Sequence, residues 1–247
     1  TTGFQNVSLD LMYGLPRQTI GQWRQTLQQA VALEPDHLSL YCLTLEEGTP
    51  LEAQVRQGLL PDPDPDLAAD MYLMAQEVME REGYGHYEIS NWARPGFESR
   101  HNLVYWRNRP YLGVGPGAHS YLGAFRFFNI RSPAEYVHRL GSGVVGRHGP
   151  SRLTADSLER MPAVAEVETI DRRLEMAETM MMGLRLEAGI ASSEFTRRFG
   201  STPEAEYGAI IGELAGLGLL DAGDGVLKLT PRGRLLGNEV FSRFLGH

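Results

Sequence analysis

Between Arg100 and Gly123 the chain reads RHNLVYWRNRPYLGVGPGAHSYLG, a short stretch that holds two His, two Asn, one Trp, three Tyr and four Gly. Residues of these types serve a phosphate, a metal or a flat ring system. Gly113-Val114-Gly115-Pro116-Gly117-Ala118 fits the GxGxxA spacing of dinucleotide loops. That loop belongs between a strand and the N-terminus of a helix, whereas this one follows the polar WRNRP and contains Pro116. Alternating glycines equally suit a strand pressed against another backbone or against a flat ligand. His101 and His119 have ligating nitrogens, but neither the i, i+4 spacing nor the adjacent carboxylates that mark a metal site, and a structural role is open to each. Tyr105, Trp106, Tyr111 and Tyr121 offer broad faces with polar tips, while Arg100, Asn102 and Arg107 offer hydrogen bonds to a carboxylate or amide. A planar ligand with acidic edges suits that mixture.

Asp10 is the second chemical signal, because it interrupts the apolar run Val7 to Met12. An unpaired carboxylate is expensive to bury, so it either caps a nearby amide or projects into a ligand crevice. Glu46 and Glu47 are adjacent and do not face each other, which suits a solvated turn better than an acid and base pair. The Met180 to Met182 run reads as helix core.

Elements able to position these residues follow from periodicity. Val7 to Met12, closed by Tyr13-Gly14-Leu15-Pro16, reads as a buried strand. Ile20, Trp23, Leu27, Ala30 and Val31 recur at helical spacing, Pro35 stops that helix, and His37 to Leu45 reads as another buried strand in a parallel βαβ unit. PDPDPD at 61–66 leads into a helix that Asp66 is placed to N-cap, with Leu67, Met71, Met74 and Val78 on one face. Gly83 ends it, and a third extended segment is expected from Gly85 to Ser90. Helices on a parallel sheet are therefore expected, with function in the loops at the carboxyl edge of the strands. Gly3 acts as a helix stop directly before the first strand and no Met opens the chain, so the expectation is a chain that starts in mid-fold.

Composition changes after about Phe128. Residues 141–152, GSGVVGRHGPSR, read as an exposed connection. A Glu- and Met-rich helix over 167–186 follows, then SSEFTRRFG, a helix near 203–217, a hairpin turning at Gly-Asp-Gly and a final helix, a pattern that resembles a winged-helix module. Arg197, Arg198, Arg232, Arg234 and Arg243 are balanced there by Glu194, Glu204, Glu206, Glu213 and Glu239. With 31 acidic against 23 basic residues overall, nucleic acid is not expected as a partner. The 247 residues, 42% of them hydrophobic, can build a real core. No apolar stretch reaches the roughly 20 residues of a membrane span, so membrane contact is peripheral at most. Cys42 is the single cysteine, which excludes a disulfide framework and a thiolate metal site. A cytoplasmic setting is expected.

Taken in order, VSLDLMYGLPRQT, PDHLSLYCLTLEEGTPL, GYGHYEISNWARPGFESRHNLVYW and YLGVGPGAHSY resemble the second half of the HemW-type haem chaperones. These are related to the oxygen-independent coproporphyrinogen III oxidases of the radical S-adenosylmethionine superfamily. The resemblance extends to the C-terminal LTPRGRLLGNEVFSRFL, and YEISNWA and RHNLVYW favour the HemW branch. It implies an α/β fold: the second half of a partial (β/α)6 radical S-adenosylmethionine barrel followed by a small, helical, winged-helix-like C-terminal domain. The implied division is barrel and porphyrin-side extension over 1–128, a connection over 129–165, and the C-terminal domain over 166–247.

The family's mark is a CxxxCxxC loop holding a 4Fe-4S cluster whose open iron binds S-adenosylmethionine. This chain has neither that loop nor the family's GGTP segment, so on its own it is expected to be inactive in reductive cleavage of the cofactor, with no catalytic residue and no metal ligand of its own. By resemblance, Asp10 matches a strand aspartate at the cofactor's adenosyl-methionine region. Thr44 matches a strand position whose backbone approaches the adenine. His119 stands where the oxidases place an aliphatic residue against cofactor. Arg100, His101, Asn102, Tyr105 and Trp106 are the candidate haem-binding residues, sharing one cavity with the cofactor wall. The function implied is binding of haem and its transfer to haem-acceptor proteins; the alternative is oxidative decarboxylation of coproporphyrinogen III.

Overall fold

The computed structural model of the chain describes residues 3–142 and 153–246. The first elements are β1 (Ser8–Tyr13), α1 (Ile20–Val31), β2 (His37–Cys42), α2 (Pro50–Arg56), α3 (Pro65–Arg81), β3 (Gly85–Glu88) and β4 (Asn91–Ala93). Next come α4 (Arg100–Trp106), β5 (His119–Leu122), β6 (Phe125–Asn129), α5 (Pro133–Ser142), α6 (Ala155–Glu159) and β7 (Val164–Thr169). The chain continues through α7 (Arg172–Gly183), β8 (Ile190–Ala191), α8 (Ser192–Phe199), α9 (Pro203–Gly216), β9 (Leu220–Gly223), β10 (Val226–Leu229), α10 (Pro231–Leu235) and α11 (Gly237–Leu245). Two compact units result. The first comprises Thr1–Ser99, Arg185–Gly189 and Leu217–Gly237, and the second Arg100–Leu184, Ile190–Gly216 and Asn238–His247.

The first unit is built on a sheet of order β1-β2-β4-β3. β1 and β2 are parallel, with Ser8 opposite His37 and Asp10 opposite Ser39, which is the expected βαβ unit. Leu9, Leu11, Tyr13, Leu38, Leu40 and Trp92 form its apolar face and pack with Trp23 and Leu27 of α1 and Met71, Ala75 and Met79 of α3. Each large side chain fully buried there contributes about 1.5–3 kcal/mol. Trp23 resolves its one polar atom by donating from Nε1 to the Met71 carbonyl at 2.9 Å. Thr19 starts α1 in a reciprocal capping box with Gln22.

Four details differ from the sequence reading. β1 is an edge strand with Ser8, Asp10 and Met12 exposed, because only one of its sides is hydrogen-bonded. β2 ends at Cys42, so Thr44 lies beyond the strand. α3 is capped by Asp64 rather than Asp66; Pro65 takes the first helical position, where its missing N–H costs nothing. The segment from Gly85 does not run on to Ser90: the chain reverses at Ile89-Ser90, and β4 inserts antiparallel between β2 and β3. Neither Gly nor Pro marks that reversal. The Glu88 carboxylate holds it, accepting from the Ser90 amide at 3.3 Å and from Asn91 Nδ2.

The same unit contains a short stretch laid on β3, where Ile89 N donates to the Arg185 carbonyl and Glu187 N to the Tyr87 carbonyl, both at 3.1 Å. It also contains the β9–β10 hairpin, which turns at Asp224-Gly225 with φ of 52° and 73°, the left-handed pair that a two-residue turn demands.

The second unit carries the antiparallel sheet β5-β6-β7, in which His119 faces Phe128 and Phe128 faces Glu166. Phe127, Leu158 and Val164 form the core on this sheet. Arg126 makes a two-pronged ion pair with the buried Glu178 of α7, both contacts at 2.8 Å. Met180 is fully buried, as expected of helix core, while Met181 and Met182 are half-buried. Helix, helix, hairpin and helix follow in the expected order. Arg198 is used inside this unit, pairing with Glu175 and with the Asn108 carbonyl. Of the exposed stretch expected over 141–152, residues 143–152 lie outside the described residues, as does the chain start at Thr1.

Candidate functional site

In the first unit, strand register lines up one polar row across the face opposite the core: Asp10 of β1, Ser39 of β2, Asn91 of β4 and Glu88 of β3. Strands lie about 4.8 Å apart, so the row spans roughly 14 Å. Its outer end, Asp10, is exposed, and its inner members are buried. Beside it, His37 Nδ1 meets Ser8 Oγ at 2.9 Å and Nε2 meets the Tyr87 hydroxyl at 2.7 Å. Burial holds His37 below the ordinary imidazole value, against the opposing pull of Asp10. Burial also pushes Glu88 up to about 7, with the Ser90 amide and Arg185 opposing it. Thr44 is exposed in the stretch after β2.

A second polar knot lies in the same unit. Glu187 is held down to about 2, first by its hydrogen bond from His86 and then, against burial, by Arg234. The His86 ring stacks on Trp92 with centroids 4.5 Å apart.

In the second unit, α4 presents the expected aromatic and basic residues. Arg100 and His101 are exposed, while Asn102, Tyr105 and Trp106 are half-buried. His101 Nε2 and the Tyr105 hydroxyl are 3.1 Å apart, one helical turn from each other, and their rings meet edge-on at 4.9 Å. Tyr105 in turn meets Tyr111 edge-on at 4.6 Å. Tyr111 is fixed by reciprocal 2.9 Å backbone bonds with Tyr121, whose side chain is buried. His119 is elsewhere on the sheet: exposed, stacked on Phe128 at 5.1 Å, with the Arg131 guanidinium 5.4 Å from the same Phe128 ring. The aromatic cluster thus gathers His101, Tyr105 and Tyr111, while Tyr121 serves as their anchor.

The glycine stretch is a backbone device. Gly113 donates to Ser120 Oγ at 3.0 Å, and a Cβ at Gly113 would strike the His119 carbonyl. Gly115 and Gly117 have φ of 107° and 68°, and the Gly115 carbonyl accepts from Asn129 Nδ2 at 2.9 Å. Strand β5 follows, not a helix, which removes the dinucleotide reading.

Sequence reasoning missed Glu88, His37 and Phe128. The only available signal was polar residues alternating within otherwise apolar segments. Among the described residues no group of three or more His, Cys, Asp or Glu is placed to hold a metal ion. Cys42 is exposed and is the sole thiol, so the residues do not fit a 4Fe-4S cluster. No helix among the described residues is long and apolar enough to cross a membrane.

Residues 170–236 match the HemN C-terminal domain model. Over 99% of the chain, identity to the Bacillus subtilis heme chaperone HemW is 36%, covering 60% of that protein. To the Lactococcus lactis heme chaperone HemW it is 34% over 98% of the chain and 59% of that protein. The chain is a homologue of the HemW-type haem chaperones. The bovine mitochondrial radical S-adenosyl methionine domain-containing protein 1 is 41% identical over 74% of the chain and 40% of that protein. The fold matches the Escherichia coli coproporphyrinogen III oxidase HemN, a radical SAM enzyme, with a TM-score of 0.70 at 22% identity, over 98% of this chain and 55% of that one. The chain thus spans about 60% of the HemW relatives' length. Its fold is the expected partial radical SAM fold with a HemN-type C-terminal domain.

Proposed function

We propose that the chain supplies a haem-binding surface of a HemW-type chaperone that works in the cytoplasm and passes haem to acceptor proteins. The observation that carries this is the cluster at α4: the exposed His101 imidazole meets the Tyr105 ring, which meets Tyr111 beyond the helix, and the helix also presents Arg100 and, just past its end, Arg107. Each part has a task in binding haem. The imidazole of His101 can ligate iron, the Tyr105 and Tyr111 faces suit the porphyrin plane, and the guanidinium groups suit its propionates. Asn102 and Trp106 flank that surface. His119, with Phe128 beneath it and Arg131 nearby, is the second candidate ligand.

On the first unit, Asp10 and Thr44 are assigned to S-adenosylmethionine. The fit rests on acceptor chemistry: Asp10 is exposed in register with Ser39, and the buried Asn91 Oδ1 in the same row has no partner among the described residues. Such a row suits a ligand rich in hydroxyl and amine donors. Bound there, the cofactor would supply an adenosyl group. With one thiol in the chain, no reductive step is assigned to these residues.

Titration of the 247-residue chain with hemin, followed in the Soret region, tests the proposal. A saturable one-to-one complex with a His-ligated ferric spectrum is expected. Spectra that track hemin aggregation alone would refute it.

A further inference from the structure

We infer that Tyr105 masks the iron-binding nitrogen of His101 in the free chain, so that haem capture requires the phenol to let go. The inference rests on the haem-binding reading and adds to it the residue that controls access to the ligand. The geometry is specific to one atom. The Tyr105 hydroxyl lies 3.1 Å from Nε2, the imidazole nitrogen farther from the backbone and so the better placed to ligate iron. A phenol is the stronger acid of the two and a neutral imidazole nitrogen the stronger base. The hydroxyl therefore donates, the ring proton sits on Nδ1, and the Nε2 lone pair is occupied.

The phenol is not loose. Its ring stands edge-on between His101 at 4.9 Å and Tyr111 at 4.6 Å. Tyr111 is itself pinned to β5 by the two backbone bonds with Tyr121. One helical turn separates the partners, so α4 itself brings the two side chains within reach of each other. His101 is exposed, so its ring is free to turn towards a ligand once Tyr105 lets go. Iron and the phenol proton compete for a single lone pair. A chaperone must also give up its cargo, and a group that re-covers the vacated nitrogen within the same turn favours release.

The masked fraction follows from the strength of one hydrogen bond. At the usual net value, Nε2 is free in about a third to a tenth of molecules, and the apparent affinity for hemin is reduced by that factor. Tyr105→Phe keeps the ring and its packing on Tyr111 while deleting the proton donor. This variant is expected to bind hemin roughly three- to tenfold tighter, with a faster association phase and the same His-ligated ferric spectrum. Metal-free protoporphyrin IX offers no iron to ligate, so Tyr105→Phe should change its affinity less than it changes that of hemin.

Each other result overturns the inference. Hemin affinity that is unchanged or weaker in Tyr105→Phe shows that the phenol does not compete with iron. Equal shifts for hemin and for metal-free protoporphyrin show a packing effect instead. In either case saturable wild-type binding leaves the haem-binding reading standing. Absence of saturable hemin binding by the wild-type chain removes both.

Discussion

Replacing Glu88 with Gln isolates one buried carboxyl and allows its effect on stability to be worked through. Glu88 is fully buried, and burial lifts it from 4.5 to about 7, with the Ser90 amide and Arg185 opposing. A rise of that size corresponds to about 3 kcal/mol of preference for the neutral form. The folded-state value lies above the unfolded one. The stabilisation from the protonated carboxyl is therefore fully present below about pH 4.5 and is lost as pH rises through about 7. Gln does not ionise and can still accept from the Ser90 amide. Urea unfolding of both proteins between pH 4.5 and 8 should show wild type losing about 3 kcal/mol relative to Glu88→Gln across that range. Comparing the two proteins cancels His37, whose lowered value gives both the same loss on acidification. The attraction of Arg185 for the ionised carboxylate is already contained in the value of about 7 and adds no separate slope. Parallel curves, or wild type gaining relative to the variant as pH rises, would refute the reasoning.

Three further outcomes follow from individual contacts. Arg126→Met should cost about 3 kcal/mol by leaving the buried Glu178 unpaired, and adding Glu178→Met should restore much of it; a double-mutant cycle by urea unfolding checks this. Gly113→Ala should cost about 1–3 kcal/mol, since its Cβ meets the His119 carbonyl, and should shift the His119 ring resonances in an NMR spectrum. Asp10→Ala should change stability by no more than about 0.5 kcal/mol, because the carboxylate is exposed on an edge strand and is free for a ligand; a loss above about 1.5 kcal/mol would mark it as a structural cap.

Local chemistry made much of this fold legible. The parallel β1–α1–β2 unit was written in the spacing of Trp23, Leu27 and Ala30, and the hairpin turn in Asp224-Gly225, where only a few residue types accept two left-handed conformations. The reversal after β3 was not legible, because a side chain rather than a turn residue makes it: Glu88 supplies both acceptors that hold Ser90 and Asn91. The edge position of β1 was hidden for another reason. An apolar run with one Asp reads alike whether a strand is paired on both sides or on one. Around the site, the residue types of RHNLVYW raised the expectation of a flat ligand, but the pairing of His101 with Tyr105 and the separate seat of His119 on Phe128 depend on helix phase and strand register. Of the two readings the glycines allowed, close backbone approach holds at Gly113, against the His119 carbonyl, while Gly115 and Gly117 supply positive φ.

The most direct test of the central claim is hemin affinity in the chain carrying His101→Ala, set beside the chain carrying His119→Ala. The account predicts loss of the His-ligated ferric spectrum and at least tenfold weaker binding, about 1.4 kcal/mol, when His101 is removed, because iron loses its ligand. An unchanged spectrum and affinity in both variants would contradict it, and would take haem away from the surface built by His101, Tyr105 and Tyr111.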